Sequence, residues 1–241
     1  MIPKTIHYCW FGRGQKPELA QKCIESWKRY LPEYEIVEWN EDNFNLDEYP
    51  YARQAYDARK FAFVTDVVRL YAMFTHGGIY MDTDVEVLKP LDSILGYEAV
   101  SGFETTNLIP TGLMASEKGS EIIGELLKDY RERQFVNADG SLNTTTNVIY
   151  ITETLKKYGL KLNNKFQTVG GFTFFPADYL CPKSVKDGKI HLTENTLAIH
   201  HFAGSWHSPW RNKLRNIILA IGGYRLKKFV RFITPEKLLK K

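Results

Sequence analysis

Cysteine is scarce in this chain of 241 residues, and the three that occur, Cys9, Cys23 and Cys181, are far apart. Their number is odd and no two of them form a Cys-x-x-Cys pair. This pattern excludes a disulfide framework and a zinc site built from paired cysteines. We interpret the three residues as reduced thiols and expect a cytoplasmic protein.

Long apolar runs are also missing. No stretch approaches the ~18 apolar residues of a membrane span, and the first residues lack the apolar region of a signal peptide. We find no internal repeat and no low-complexity linker. The content of 44% hydrophobic and 14% aromatic residues is typical of a globular domain with a substantial core.

Charge is distributed unevenly along the chain. Residues 211–241 contain ten Lys or Arg and a single acidic residue, whereas the other 210 residues contain 22 Lys or Arg and 27 Asp or Glu. An acidic body argues against nucleic-acid binding. We therefore expect one domain over residues 1–210, followed by a basic, amphipathic helical segment over residues 211–241.

Two arrangements satisfy the pattern of this basic segment. In the first, its apolar side lies on the anionic inner face of the plasma membrane, where each basic residue contributes about 1 kcal/mol. In the second, the apolar side packs on the domain and the lysines face water. The sequence leaves both open.

The order of local patterns predicts an α/β fold. Residues 4–11 and 34–39 have strand patterns, and residues 18–31 and 52–75 have helical patterns. A further strand is expected over residues 79–87. Strands and helices that alternate in this way form a mainly parallel central sheet flanked by helices.

Two aspartates, Asp82 and Asp84, stand one residue apart at the end of the apolar run GGIYMDTDVEV, residues 77–87. Strand residues two apart project to the same side, so the two carboxylates would repel each other unless a cation or solvent relieves them. We expect Tyr80 to face away from them and pack in the core.

Three explanations compete for this pair. It could be a set of surface carboxylates, a phosphoryl-transfer motif of the haloacid dehalogenase type, or a site where a divalent cation holds a nucleotide-sugar diphosphate. The dehalogenase motif requires Thr or Val at the position of Glu86, and apolar Val85 and Val87 exclude a calcium loop. Mn²⁺ and Mg²⁺ bind carboxylate and phosphate oxygens and stabilise a leaving diphosphate. We favour the cation site.

Three segments, IPKTIHYCWFG, AFVTDVVRLYAMFTHGGIYMDTDVEVLKPLD and HHFAGSW, together resemble glycosyltransferase family 32, sugar transferases with a DXD motif that are similar to those of capsular polysaccharide synthesis. The similarity covers residues 2–92 and about 197–206. The resemblance implies a GT-A-like nucleotide-sugar-binding fold, Mn²⁺ or Mg²⁺ as cofactor, and retention of anomeric configuration.

The same resemblance implies a hexosyltransferase. Its donor would be a nucleotide-sugar, in the first instance a UDP-sugar, and its acceptor a glycan or a lipid-linked oligosaccharide. The alternative is a nucleotide-sugar or carbohydrate-binding module that has lost catalysis.

The resemblance also assigns the metal site. Asp84 is expected to bind the metal directly, and Asp82 to reach the ribose or a water on the metal. His201, five residues before Trp206, is the expected third metal ligand. The neighbouring His200 would then point to the opposite face of its strand and pack in the core.

Further residues are assigned to the substrate. Asp66 and Arg69 lie three apart on one helix face, and the resemblance places both at the donor sugar, with Asp66 counted among the catalytic residues together with Asp82 and Asp84. The alternative for Asp66 and Arg69 is an exposed ion pair of little energetic value. Trp10 either stacks on the nucleotide base or belongs to the core.

The final pair is Ser205 and Trp206. The hydroxyl of Ser205 and the indole N–H of Trp206 are donors that suit the oxygens of the β-phosphate. Aromatic residues of loops also act as lids or simply pack, and the sequence leaves this alternative open.

Overall fold

The computed structural model describes residues 1–104, 108–184 and 188–204. Ser205, Trp206 and the basic segment 211–241 lie outside the described residues, so what the sequence predicts for them stays a prediction. In the part of the chain that is described, every helix is too short or too polar to cross a bilayer.

The structure consists of nine strands and six α-helices in these described ranges. The strands are β1 Thr5–Cys9, β2 Glu35–Trp39, β3 Gly78–Met81, β4 Val85–Val87, β5 Ala99–Gly102, β6 Leu113–Ser116, β7 Gln167–Val169, β8 Phe172–Phe175 and β9 Ala198–His200. The helices are α1 Glu18–Tyr30, α2 Pro50–Asp57, α3 Phe61–His76, α4 Glu121–Lys128, α5 Asn147–Lys156 and α6 Ala177–Leu180. Short 3₁₀ turns occur at Leu46–Glu48, Asp92–Ile94 and Asp129–Arg131.

A central sheet contains seven of the strands in the order β2-β1-β3-β6-β5-β8-β7. The pairings β1–β2, β1–β3 and β5–β8 are parallel, and those of β6 and β7 are antiparallel. Five strands therefore run in one direction, and only β6 and β7 run in the other. The predicted α/β class, with a mainly parallel sheet flanked by helices, is confirmed.

Hydrophobic side chains cover both faces of this sheet. In β3, Tyr80 packs with the residues of α3 on one face, while Ile79 and Met81 join Trp27 of α1 on the other. This alternation follows from the twofold period of a strand. Because β1, β2, β3 and β5 run in the same direction, their carboxyl ends lie along one edge of the sheet, where ligands bind in open α/β folds.

The helix expected over residues 52–75 is two helices. It is interrupted after Asp57, where Arg59 has φ of 56° and the N–H of Lys60 donates to the carbonyl of Ala55. A residue in the left-handed region ends a helix in this way. The prediction of one continuous helix was wrong because the sequence has no Gly or Pro at the break, which is visible only in the backbone conformation of Arg59.

A separate two-stranded ribbon forms from β4 and β9 beyond the edge of the sheet. The indole N–H of Trp27 donates to the carbonyl of Val85 at 2.7 Å, and the N–H of Val87 donates to the hydroxyl of Ser26 at 2.9 Å. These buried bonds fasten the ribbon to α1. The ribbon carries His200 to the segment that follows β3, because His200 is paired with Val85.

Gly78 allows β1 and β3 to approach each other. Its φ is 109°, and a Cβ built on it would lie 2.5 Å from the backbone oxygen of Thr5. We predict that Gly78→Ala destabilises the fold by about 3 kcal/mol, since backbone strain and overpacking each cost about 1–3 kcal/mol. Chemical denaturation measures the change.

Gly96→Ala is the matched control, because no atom lies within 4 Å of a Cβ at that position. It is expected to change stability by less than about 0.5 kcal/mol. Equal stability of the two variants would contradict the role of Gly78.

Candidate active site

Asp82 and Asp84 lie in a turn between β3 and β4, not inside a strand. The N–H of Val85 donates to the carbonyl of Asp82 at 3.0 Å and closes the turn. The carboxylates nevertheless face the same point. One oxygen from each, together with a nitrogen of His200, lie within 4.8 Å of one another.

The histidine beside the aspartates is His200, not His201. Nε2 of His200 lies 3.3 Å from Oδ1 of Asp84 and 4.0 Å from Oδ2 of Asp82. Nε2 of His201 lies 2.8 Å from a carboxylate oxygen of Glu86 instead. The expectation for His201 was wrong because successive residues of a strand face opposite sides, and the pairing of β4 with β9 turns His200 toward the aspartates.

Asp84 and His200 stabilise each other as charges. Burial alone would lower the pKa of His200, but the carboxylate of Asp84 raises it well above its usual value. Burial likewise acts to raise the pKa of Asp84, yet His200 and the backbone N–H of Ala203, 2.7 Å from Oδ2, lower it to about 2. Without a metal, the protonated imidazole therefore offsets the negative charge of the carboxylate pair, and it would lose this proton on binding a metal.

The same donors suit a divalent cation. Ligand atoms about 2.1 Å from one cation, at right angles, lie about 3 Å apart, close to the 3.3 Å between Asp84 and His200. Carboxylate oxygens with an imidazole nitrogen suit Mn²⁺ better than Mg²⁺. Asp82, Asp84 and His200 fit a divalent metal that the fold family implies.

Arg69 connects Asp82 to Asp66. Its Nη2 lies 3.2 Å from Oδ1 of Asp66 and 3.4 Å from Oδ1 of Asp82. Its Nη1 donates to the carbonyl of Thr111 at 2.5 Å, and its Nε donates to the carbonyl of Thr65 at 3.3 Å. Arg69 is only 4% exposed, so the alternative of an exposed ion pair with Asp66 is excluded. With these partners the guanidinium orients Asp82.

Asp66 is buried with Arg69 and faces the start of α5. The backbone N–H of Asn147 donates to Oδ2 of Asp66, and Nδ2 of Asn147 donates to the carbonyl of Asp66 at 2.7 Å. Burial raises the pKa of the Asp66 carboxyl to about 6, against the effects of Arg69 and of the Asn147 N–H. The helix terminus thus stabilises a carboxylate that would otherwise be costly to bury.

Tyr80 is buried in the core as expected, but it contacts Asp82 instead of facing away from the aspartates. Its hydroxyl donates to Oδ1 of Asp82 at 2.7 Å, and the guanidinium of Arg69 lies 4.7 Å from its ring centre. The residues Tyr80 and Asp82 are two apart and share the face of the sheet that α3 covers. The prediction was wrong because it applied the twofold period to the two aspartates but not to Tyr80.

Trp10 lines a cleft of about 270 Å³ at the end of β1. Its indole N–H donates to the carbonyl of Gly14 at 2.6 Å, and Nζ of Lys16 lies 5.7 Å from its ring. Lys16 is paired with Glu38 at 2.7 Å. Trp10 is partly buried and packs against the edge of the hydrophobic core.

Residues 17–101 match the family described as "Glycosyltransferase sugar-binding region containing DXD motif". The matched segment contains Asp66, Arg69, Asp82 and Asp84. This region is therefore similar to the sugar-binding region of DXD-motif glycosyltransferases. The resemblance seen in the sequence is confirmed, and its DXD motif is Asp82-Thr83-Asp84.

Curated relatives share this region. The chain is 29% identical over 135 residues to inositol phosphoceramide mannosyltransferase 3 of Schizosaccharomyces pombe, which covers 53% of this chain and 37% of the relative. It is 24% identical over 233 residues to mannosyl phosphorylinositol ceramide synthase CSH1 of Saccharomyces cerevisiae, covering 90% of this chain and 56% of the relative. The chain thus spans between a third and just over half of the length of these two relatives.

Among solved structures, the chain is similar to a glycosyltransferase involved in glycosylation of the major capsid of the virus PBCV-1. The TM-score is 0.44 and the identity 15%, over 87% of this chain and 98% of the other.

Sequence reasoning found the DXD motif but missed Tyr80, which contacts Asp82, and Asn147, which contacts Asp66. The spacing of two between Tyr80 and Asp82 was a usable signal for the first. Asn147 at the start of a helical pattern signals a capping role, but no local feature connects it to Asp66, 81 residues earlier.

We predict that His200→Ala weakens Mn²⁺ binding at least ~10-fold, since even residues that only orient metal ligands cost 10–100-fold when changed. His201→Ala is the matched control and should bind Mn²⁺ like the unmodified chain, because its Nε2 is engaged with Glu86. Titration calorimetry measures both affinities. The reverse order of effects would restore His201 as the ligand.

A second prediction concerns the buried guanidinium. Arg69→Met leaves Asp66 and Asp82 close together without their shared cation, so it should destabilise the fold by about 3–5 kcal/mol. Arg53→Met removes an exposed pair with Asp47, 2.7 Å apart, and should cost less than about 1 kcal/mol. Urea denaturation measures the free energy of unfolding of both variants. Similar losses of stability would mean that the buried Arg69 stabilises the fold no more than the exposed Arg53.

Proposed function

We propose that this chain is a divalent-metal-dependent hexosyltransferase. It moves a hexose from a nucleotide-sugar, in the first instance a UDP-sugar, to a glycan or lipid-linked glycan acceptor with retention of anomeric configuration. The proposal is carried by one observation, the convergence of Asp82, Asp84 and His200 on a single point inside a DXD sugar-binding region.

The position of this cluster supports a nucleotide diphosphate ligand. Asp82 follows β3, and the cleft of Trp10 follows the adjacent parallel strand β1. A nucleotide-sugar that lies along this edge has its base at the indole and its diphosphate at the carboxylates. Trp10 then supplies an aromatic face for the base, and Lys16 a positive charge beside it.

The residues have distinct tasks in this scheme. Asp82, Asp84 and His200 would hold the metal, which would supply positive charge where the leaving diphosphate gains negative charge. Arg69 and Tyr80 hold the Asp82 carboxylate in place, and Asp66 stands at the sugar side of Arg69. The bond between the anomeric carbon and the diphosphate breaks, the acceptor oxygen attacks from the same face, and the diphosphate takes the acceptor proton.

The names of the relatives favour a lipid acceptor. Both act, by name, on inositol-containing sphingolipids, and both transfer mannose. Mannose and a phosphoinositol lipid are therefore included with the other candidate substrates. A peripheral position on a membrane through residues 211–241, and a place in capsular polysaccharide synthesis, stay predictions.

The deciding experiment incubates the chain with Mn²⁺ and a panel of UDP- and GDP-hexoses and measures release of nucleoside diphosphate and free sugar. We predict hydrolysis of at least one donor, with the anomer first released having the donor's configuration. Asp84→Asn should reduce this rate ~100-fold or more, as the loss of one electrostatic group commonly does. Asp57→Asn is the control; it changes an exposed carboxylate at the end of α2 and should leave the rate of hydrolysis unchanged.

Nucleotide binding without turnover of any donor or acceptor would favour the alternative, a binding module that has lost catalysis. Release of the inverted anomer would contradict retention of configuration but not the transferase activity. Equal rates for Asp84→Asn and the unmodified chain would remove the metal-dependent mechanism.

A further inference from the structure

Gly112 stands against the imidazole of His200. It precedes β6, at the sheet edge where β3 ends. A Cβ built on Gly112 would lie 2.6 Å from Cε1, 2.7 Å from Nδ1 and 3.0 Å from Nε2 of His200. Carbon atoms do not approach so closely without repulsion. The imidazole therefore occupies the space that any other side chain at position 112 would fill.

The backbone around Gly112 also holds the other residues of the site. The N–H of Asp82 donates to the carbonyl of Gly112 at 2.7 Å. The guanidinium of Arg69 donates to the carbonyl of Thr111, one residue earlier. Two successive carbonyls thus fix Asp82 and its partner, while the bare Cα beside them leaves room for His200. The close approach of three chain segments requires a residue without a side chain here.

The ring of His200 has a second neighbour in Phe202. The two ring centres are 4.2 Å apart, and Phe202 adopts φ of 53°. A bulky residue in the left-handed region is strained, and such strain persists only where the surrounding structure enforces it. The imidazole is therefore placed by contacts with Gly112 and Phe202, while Nε2 faces Asp84.

We infer that Gly112 is a positioning residue of the metal site, because its missing side chain is what allows His200 to stand beside Asp82 and Asp84. The inference rests on the metal site of the proposed function and assigns no contact with substrate to Gly112. A methyl group at position 112 displaces the imidazole, which is the movable end of a side chain. The ligand geometry is lost while the sheet stays folded.

The test measures Mn²⁺ affinity of the full chain by electron paramagnetic resonance of free Mn²⁺. Gly112→Ala should weaken binding ~10-fold or more, in the range observed when supports of metal ligands are altered. Gly96→Ala is the control, since a methyl group there meets no atom within 4 Å. Thermal melting of each variant shows that it is folded at the temperature of the titration.

The double variant Gly112→Ala/His200→Ala shows whether Gly112 acts through the imidazole. Without the ring there is nothing for the methyl group to displace, so the double variant should bind Mn²⁺ as His200→Ala does. A further loss as large as that of Gly112→Ala alone would overturn the inference. In that case the substitution acts through the backbone bond to Asp82.

A second measurement tests the inference without metal. The chain has six histidines, and the imidazole signals of His200 in an NMR spectrum are those missing from His200→Ala. They should shift in Gly112→Ala and stay in place in Gly96→Ala. Unchanged signals and unchanged Mn²⁺ affinity in Gly112→Ala overturn this inference alone, whereas absence of Mn²⁺ binding by the unmodified chain overturns the proposed metal-dependent function and the inference with it.

Discussion

Three carboxylates, those of Asp66, Asp82 and Asp84, meet at one edge of the sheet, and the site depends on how their negative charge is balanced. Arg69 lies between the first two, and His200 lies beside the third. The guanidinium is shared between Asp66 and Asp82, and the imidazole faces both Asp82 and Asp84. Because these groups are buried, the loss of either cation would be costly, since a buried charge without a partner is unfavourable.

The balance is assembled from distant parts of the chain. Arg69 comes from α3, the aspartates follow β3, and His200 arrives on β9, 116 residues after Asp84. The ribbon of β4 and β9 is fastened to α1 through Trp27, so a helix near the beginning of the chain sets the position of His200. The site is therefore a product of the whole fold, and local unfolding of the ribbon would separate its ligands.

Two kinds of support surround the side chains of the candidate metal site. Polar contacts orient the carboxylates: Tyr80 and Arg69 hold Asp82, and the backbone N–H of Ala203 holds Asp84. Steric contacts place the imidazole, through the bare Cα of Gly112 and the ring of Phe202. A metal site needs both, since ligand direction and ligand distance are set by different neighbours. In the proposed function, the cleft of Trp10 on the adjacent strand would hold the nucleotide.

Local sequence patterns determined the main strands and helices of the first hundred residues, apart from the break at Arg59 and the turn that contains the aspartates. They also determined the pairing of Asp66 with Arg69 and the significance of Asp82-Thr83-Asp84. Those features depend on hydrophobic periodicity and on spacings of two or three residues. The choice between His200 and His201 depends instead on which residue of β9 faces β4, and strand register is a long-range property. The bonds from Asn147 to Asp66 and the contact of Gly112 with His200 also join segments about 80 residues or more apart. Only the tertiary structure decides them, because no local pattern encodes which distant backbone atoms will meet.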